Sequence, residues 1–157
     1  MLRVFFLFIS LFILLILSRV EAKGEELLAE EQTGLRPGRS TEEQIFNTRV
    51  MTEKHLQHHH DLFRNFIDFK KEFDRVLHTG LRQVLRSFNV EEELVKAIQA
   101  LYENSSSAVL LNSQLGEFFE STVGVRQGCL LSPILFNLFL EKIMQDSLHP
   151  SPLVEGP

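Results

Sequence analysis

The N-terminus most constrains what this chain can fold into, because residues 4–17 form an apolar run that only one serine interrupts. As a helix this run is roughly 21 Å long, shorter than the ~30 Å hydrocarbon layer of a membrane. Arg3 precedes the run, and Val20 and Ala22 follow it in the small-x-small pattern that signal peptidase recognises. The pattern favours a cleavable signal peptide at residues 1–22, with an uncleaved membrane anchor as the alternative.

This interpretation sets the expected location of the product. A used signal places it in the secretory pathway or outside the cell, whereas an uncleaved one anchors it to a membrane. In the secretory pathway the sequon Asn104-Ser105-Ser106 predicts glycosylation at Asn104. The alternative is a triplet that occurs there by chance.

Length and composition favour one globular domain. A chain of 157 residues has room for a single core, and 44% hydrophobic with 24% charged residues is a globular composition. The formal net charge of −5 argues against a protein whose main function is to grip phosphate backbones. The one cysteine, Cys129, cannot form an internal disulfide.

Helical periodicity covers much of the chain after the N-terminal run. Ser40 followed by Glu43 is a capping-box pattern, which predicts a helix from about residue 41 to residue 58. The apolar face of the next segment weakens at Thr79-Gly80. In the last segment Ser132 is the expected cap and Pro133 the first helical residue. The further helices are predicted at residues 73–88, 90–103 and 132–148.

Two segments have the composition of strands. The aromatic and apolar segment LFRNFIDF (62–69) is short and predicts a strand. Residues 107–123 predict a β-hairpin with its turn at residues 112–116, and residues 149–157 predict a disordered tail. The expected fold class is therefore α+β, mostly helical, with a β-hairpin and one isolated strand behind a hydrophobic signal helix.

Three blocks, in order, resemble the reverse transcriptase domain of non-LTR (LINE-type) retrotransposons. They are EEQTGLRPGRSTEEQIF (30–46), FIDFKKEFDRV (66–76) and GVRQGCLLSPILFNLFLEKIM (124–144). Each block alone is weak evidence, but their order and spacing together are specific. The resemblance covers residues 28–148 and implies a partial fingers and palm fold, with residues 62–69 as the palm strand.

The resemblance implies an RNA-directed DNA polymerase, whose phosphoryl transfer uses two Mg²⁺ ions held by converging carboxylates. It assigns Asp68 as the first catalytic and metal-binding carboxylate, at the end of the palm strand. It assigns Phe73 as the aromatic residue that excludes a 2′-hydroxyl. Nucleic acid and deoxynucleotides are the implied partners.

Four more nucleotide-binding residues follow from the same resemblance. Gln127 and Gly128 match the loop that lies against the incoming base pair, where a missing side chain allows close approach. Arg36 and Arg39 lie in the block that contacts template and triphosphate, and a guanidinium group suits phosphate oxygens.

Each of these residues also has an ordinary interpretation. A lone aspartate after a strand is more often a turn or cap residue, and Phe73 by itself is a core residue. His55 and His59 lie one helical turn apart, a spacing that can bind zinc, but a solvated helix end is the favoured interpretation.

The sequence departs from the family pattern in two places. The aromatic-Ala-Asp-Asp hairpin that supplies the other carboxylates would follow residue 148, where the chain instead reads HPSPLVEGP. Glu72 stands where a small alanine is usual, beside Phe73. We therefore expect a truncated, catalytically inactive domain with doubtful Mg²⁺ binding, which folds poorly alone and exposes the apolar face of residues 133–148. The alternatives are a small secreted interaction protein of unknown partner and an open reading frame without selected function.

Overall fold

The computed structural model describes residues 2–103 and 105–148. Asn104, the predicted glycosylation site, and the predicted disordered tail at residues 149–157 lie outside the described residues.

The described residues form a mixed fold of helices and short antiparallel strands. The helices are α1 (Leu2–Leu27), α2 (Thr41–Gln57), α3 (His78–Ser87), α4 (Glu92–Tyr102) and α5 (Ser132–Leu148), with a 3₁₀ turn at Phe73–Arg75. The strands are β1 (Ser106–Ser107), β2 (Leu110–Leu111), β3 (Gln114–Leu115) and β4 (Phe119–Glu120).

Four of the helices enclose the hydrophobic core. Helix α3 packs against α4 and α5, and α1 packs against α4 and α5. The inner residues of α5, Leu135 and Leu138, are completely buried. Leu85 of α3 and Val95 of α4 are also completely buried, so apolar burial is the main force that joins these helices.

Helix α1 takes part in this core and continues past Ala22 to Leu27. Ile16 and Val20 are buried among the core residues, and Gly24 lies directly against Ile134 of α5. Among residues 2–103 and 105–148, no helix has the length and hydropathy needed to cross a membrane. The use of residues 1–22 as a signal peptide or anchor stays a prediction, but in this fold part of that segment is also a core element.

The capping prediction for α2 is confirmed. The Ser40 side chain accepts a hydrogen bond from the backbone N–H of Glu43 at 3.2 Å, and the helix ends at Gln57. The structure describes every residue of α2, and none of them is buried. Even the apolar side chains of Ile45 and Phe46 are 69% and 64% exposed. The cap, rather than burial in the core, therefore defines where α2 begins.

The predicted strand at residues 62–69 is wrong. These residues have no regular secondary structure, and Phe63 and Phe66 are 92% and 86% exposed. A strand needs a neighbour for its backbone N–H and C=O groups, and the described residues provide none at this segment. The isolated palm strand of the expected fold class is therefore not formed, and Asp68 follows an extended loop.

The predicted continuous helix at residues 73–88 is broken at Val76 and Leu77. The carbonyl of Phe73 accepts from the N–H of Val125, and that of Val76 accepts from Gly124, both at 2.8 Å. Because the loop before α5 takes these carbonyls, they are not available to a helix, and α3 begins only at His78.

The predicted hairpin forms, but its turn is shorter than the predicted residues 112–116, because Gln114 and Leu115 belong to strand β3. Strands β2 and β3 pair across a two-residue turn at Asn112 and Ser113, whose φ angles of 49° and 64° are typical of a tight hairpin turn. Strands β1 and β4 pair further out. The other predicted helices are confirmed within two residues, as α4 and α5.

Candidate functional site

An open cleft lies between the segment that follows Asp68 and the loop that precedes α5. One wall consists of Phe69 and residues 71–74, and the other of residues 127–130 with Ser132 and Pro133. The cleft encloses about 690 Å³. It brings together Phe73, Gln127 and Gly128, three of the residues predicted to bind nucleotide.

The two segments that form the walls come together at position 124, where only a glycine fits without strain. Its φ angle is 89°, in the left-handed region. A Cβ atom there would lie 3.2 Å from the Cα of Asp74 and 3.2 Å from the carbonyl oxygen of Phe73. The missing side chain lets the two backbones approach closely enough for the N–H of Val125 to donate a hydrogen bond to the carbonyl of Phe73.

Phe73 forms the inner part of the first wall. Its ring stacks on the ring of Phe136 in α5, with centroids 4.8 Å apart and an interplanar angle of 21°. The aromatic side chain is therefore fixed by packing against the core before any ligand enters the cleft.

The loop of the second wall is held by its own hydrogen bonds. The carbonyl of Arg126 accepts from the Ser132 hydroxyl at 2.6 Å and from the N–H of Cys129 at 3.1 Å. Gly128 has a φ angle of 84°, and no described atom lies within 4 Å of the place a Cβ would take. The turn therefore presents Gln127 and an uncovered stretch of backbone to the cleft.

The charged groups of the cleft are mixed. Lys71 contributes one positive charge, whereas Glu72 and Asp74 contribute two negative charges. A ligand with several phosphates would therefore meet repulsion as well as attraction in this cleft.

Asp68 does not line this cleft. It is exposed and belongs to a neighbouring groove of about 250 Å³ beside α5, together with Glu72, Arg75 and the apolar residues Phe139 and Ile143. The structure therefore does not bring Asp68 into the cleft that holds Phe73 and Gln127.

The donor set does not fit a two-metal centre. Throughout residues 2–103 and 105–148, no group of three or more histidine, cysteine, aspartate or glutamate side chains is placed to hold a metal ion. Mg²⁺ prefers several oxygen ligands at short distance, and Asp68 offers one carboxylate. His55 lies half-buried on α2 and His59 lies exposed after that helix ends, and their interpretation as a solvated helix end stays a prediction.

Arg36 is engaged in the fold. Its guanidinium pairs with Glu25 of α1 at 2.8 Å and donates to the carbonyls of Ala29 and Gln32 at 2.9 and 3.3 Å. The hydrogen bond from Arg36 to the Glu25 carboxylate holds the pKa of that carboxyl below its usual value of 4.5. The Arg36 side chain is 6% exposed, whereas Arg39 is exposed on the same turn. Neither arginine lines the cleft, and their role toward a triphosphate stays a prediction.

Asn137, which was not among the residues predicted to be functional, joins this turn to α5. Its amide donates to the carbonyl of Gly34 at 2.8 Å and accepts from the side chain of Gln32 at 3.2 Å. Asn137 is 1% exposed, and a buried amide must find such partners. The available signal was a polar residue in the apolar run ILFNLFL of α5.

The comparisons with known proteins identify the family of this chain. Residues 11–150 match the reverse transcriptase (RNA-dependent DNA polymerase) family. Because the match covers most of the chain, this protein belongs to the reverse transcriptase family. The matched range begins inside the predicted signal segment.

Curated relatives come from retrotransposons. The chain is 32% identical over 94 residues to the Retrovirus-related Pol polyprotein from type-2 retrotransposable element R2DM of Drosophila melanogaster, covering 57% of this chain and 9% of that protein. It is 29% identical over 132 residues to the Probable RNA-directed DNA polymerase from transposon X-element of the same organism, covering 83% and 14%. It is 28% identical over 128 residues to the Transposon TX1 uncharacterized 149 kDa protein of Xenopus laevis, covering 80% and 10%.

The resemblance to non-LTR retrotransposon reverse transcriptases is thereby confirmed. The chain spans only about a tenth of the length of the relatives it matches. The activity of those whole proteins therefore comes to this chain only as a proposal.

Proposed function

We propose that this chain forms the nucleotide-facing part of a non-LTR reverse transcriptase domain and binds a deoxynucleotide weakly in the cleft between Phe73 and Gln127. One observation carries the proposal. Phe73 and the pair Gln127 and Gly128 are about fifty positions apart in the sequence, yet they face the same cleft.

The shape of the cleft supports a nucleotide as ligand. Small-molecule sites commonly enclose about 300–1,000 Å³ and combine apolar walls with a few polar groups, and this cleft has that size and composition. The fixed ring of Phe73 provides an apolar surface, and the uncovered backbone at Gly128 allows a flat base to approach. Lys71 is the cation available to a phosphate.

The charges support weak binding. Glu72 and Asp74 oppose a triphosphate in the same cleft, and the chain as a whole carries a net charge of −5. For the same reason we propose that nucleic acid, the family's template and primer, binds this chain weakly.

We propose further that the chain by itself does not catalyse DNA synthesis. In this family a divalent ion, when bound, stabilises the charge of the transferring phosphoryl group. The described residues do not assemble the carboxylates for such a centre, and Asp68 faces a different groove from Phe73. The support is this separation, together with the single carboxylate that the family resemblance assigns.

Equilibrium binding of a fluorescent deoxynucleotide tests the binding proposal. Gln127→Ala is expected to weaken binding about tenfold. Loss of a polar contact costs roughly 1.4 kcal/mol of binding free energy, which corresponds to a tenfold change in affinity. Gln114→Ala, at an exposed position of β3, is the matched control and is expected to bind like the wild type. Equal affinity of both variants would contradict the assignment of the cleft.

Primer extension tests the proposal of inactivity. The chain is incubated with a primer–template, all four deoxynucleotides and Mg²⁺ or Mn²⁺, beside Asp68→Asn. We expect no synthesis above background from either protein. Synthesis by the wild type that Asp68→Asn abolishes would overturn the proposal.

A further inference from the structure

His78, the first residue of α3, holds the carbonyl of Gly124 although the two are 46 positions apart. Its Nε2 lies 2.8 Å from the Gly124 oxygen. Because a carbonyl oxygen only accepts hydrogen bonds, the imidazole must donate, which places a hydrogen on Nε2. Neither residue lines the cleft, whose second wall begins at Gln127, three positions after Gly124.

A second contact supports the same region from α4. The ring of Tyr102, which is buried, lies with its centroid 5.0 Å from that of His78. The guanidinium of Arg126 lies 5.8 Å from the centre of the Tyr102 ring and donates to the carbonyl of Leu101 at 3.0 Å. The distance from Arg126 to the Tyr102 ring is within the range of a cation–π interaction, and the distance from Arg126 to the Leu101 carbonyl is that of a hydrogen bond. The ends of α3 and α4 therefore hold the chain at Gly124 and at Arg126.

These two attachments precede the part of the loop that faces the cleft. The carbonyl of Arg126 is fixed from the other side by Ser132 and Cys129. Gln127 and Gly128 continue from Arg126 into the cleft without cover of their own. Their position therefore depends on the flanking residues rather than on contacts that they make themselves.

Packing alone does not require histidine at position 78. A phenylalanine would present a similar ring to Tyr102, whereas only a side chain with an N–H or O–H donor satisfies the carbonyl of Gly124. Displacement of Gly124 would also move Val125, whose N–H binds the carbonyl of Phe73. The bond from His78 is thus connected to both walls of the cleft.

We propose that His78 is a positioning residue for the cleft loop, defined as residues 126–129. Its hydrogen bond to Gly124 and its contact with Tyr102 set the place at which Gln127 meets a bound nucleotide. The inference rests on the proposed nucleotide binding, but its structural part is measurable without nucleotide.

Cys129 provides the measurement. It is the only cysteine in the 157 residues, it is half-buried and it belongs to the cleft wall. The rate at which a thiol reagent modifies it reports how firmly the cleft loop is held. The rate is measured with and without dTTP and Mg²⁺ for the wild-type chain, His78→Phe, His78→Gln and Arg82→Ala. Arg82 is the matched control, because it is on α3 and lines the same small cavity as His78 and Tyr102.

We expect His78→Phe to raise the modification rate about fivefold without nucleotide, the factor that corresponds to one net hydrogen bond of about 1 kcal/mol. The dTTP concentration that protects Cys129 is expected to rise by a similar factor. His78→Gln keeps a donor and is expected to stay near the wild type, as is Arg82→Ala. Circular dichroism shows whether each variant is folded, and His78→Asn, whose amide is too short to reach Gly124, replaces His78→Phe if the latter does not fold.

Either of two results would overturn the inference. One is that Cys129 of His78→Phe is modified at the wild-type rate. The other is that Arg82→Ala raises the modification rate as much as His78→Phe does. Failure of the proposed nucleotide binding gives a different result. In that case dTTP does not protect Cys129 of the wild type, while the rates without nucleotide still separate the variants as expected.

Discussion

The ring of Phe73 lies almost parallel to the ring of Phe136, with the centroids 4.8 Å apart. This contact joins the first wall of the cleft to α5, whose inner residues Leu135 and Leu138 are completely buried. Packing against the core thus fixes the orientation of the Phe73 side chain in the cleft. Removing this side chain should therefore lower the free energy of unfolding.

Phe73→Ala is expected to lower the free energy of unfolding by about 2 kcal/mol, less than for a fully buried phenylalanine because the ring is half-buried. Urea unfolding followed by circular dichroism measures the change. Phe66→Ala is the control, because Phe66 is 86% exposed and its loss is expected to cost less than about 0.5 kcal/mol. Similar losses in the two variants would contradict the stacking contact.

Gly124→Ala is expected to destabilise the fold by about 2 kcal/mol or more, since it adds both an unfavourable φ angle and a backbone clash. Gly34→Ala is the control, because a Cβ there meets no described atom within 4 Å and its φ angle is not in the left-handed region. Gly128→Ala isolates the strain of a positive φ angle and is expected to cost about 1 kcal/mol. Thermal unfolding of the three variants should therefore rank Gly124 first, Gly128 second and Gly34 last.

Val20→Asp is expected to destabilise the fold by about 3 kcal/mol, because Val20 is 1% exposed and the new carboxylate would be buried among apolar residues. Leu15→Asp, at a position of α1 that is 63% exposed, is the control and should unfold at nearly the wild-type temperature.

The same burial bears on the predicted signal peptide. A chain that begins at Lys23 lacks Ile16 and Val20 and is expected to unfold at a lower temperature than the full chain. The N-terminal sequence of the natural product shows whether Ala22 is a cleavage point. Unchanged stability of the shortened chain would contradict a core role for α1.

The ion pair of Glu25 and Arg36 predicts a pH dependence. Arg36 lowers the pKa of Glu25 below 4.5 in the folded chain, so the pair stabilises the fold fully above that pH. The contribution is lost as the pH falls below 4.5 and the carboxylate becomes protonated. The effect is modest, because the Glu25 side chain is 48% exposed. The difference in urea unfolding between the wild type and Glu25→Gln should be greatest near pH 6 and shrink as the pH falls below 4.5, whereas exposed Glu31→Gln should show no such trend.

Local signals predicted much of the fold. The cap at Ser40, the start of α5 at Ser132 and the hairpin near Asn112 all depend on residues a few positions apart. The cap and the helix start are confirmed, and the hairpin forms with a shorter turn than predicted. The family was also accessible, because its three blocks are contiguous stretches of sequence.

Long-range bonds account for what the sequence did not predict. Helical periodicity continues through Val76, but the partner that takes its carbonyl, Gly124, is 48 positions away, so the break before α3 has no local signal. The segment before Asp68 has the composition of a strand but no neighbouring strand among the described residues. The separation of Asp68 from the cleft follows from that missing pairing, whereas the meeting of Phe73 with Gln127 follows from the bonds at Gly124.

Helix α5 also fixes the distance between two loop attachments. Its first residue, Ser132, fixes the cleft loop, and Asn137, five positions later, fixes the turn before Arg36. With a rise of 1.5 Å per residue, these two attachments are about 7.5 Å apart along the axis. Inserting a single residue between them would turn Asn137 by about 100° away from its partners, so the length of this stretch of helix sets the spacing between the cleft loop and the turn before Arg36.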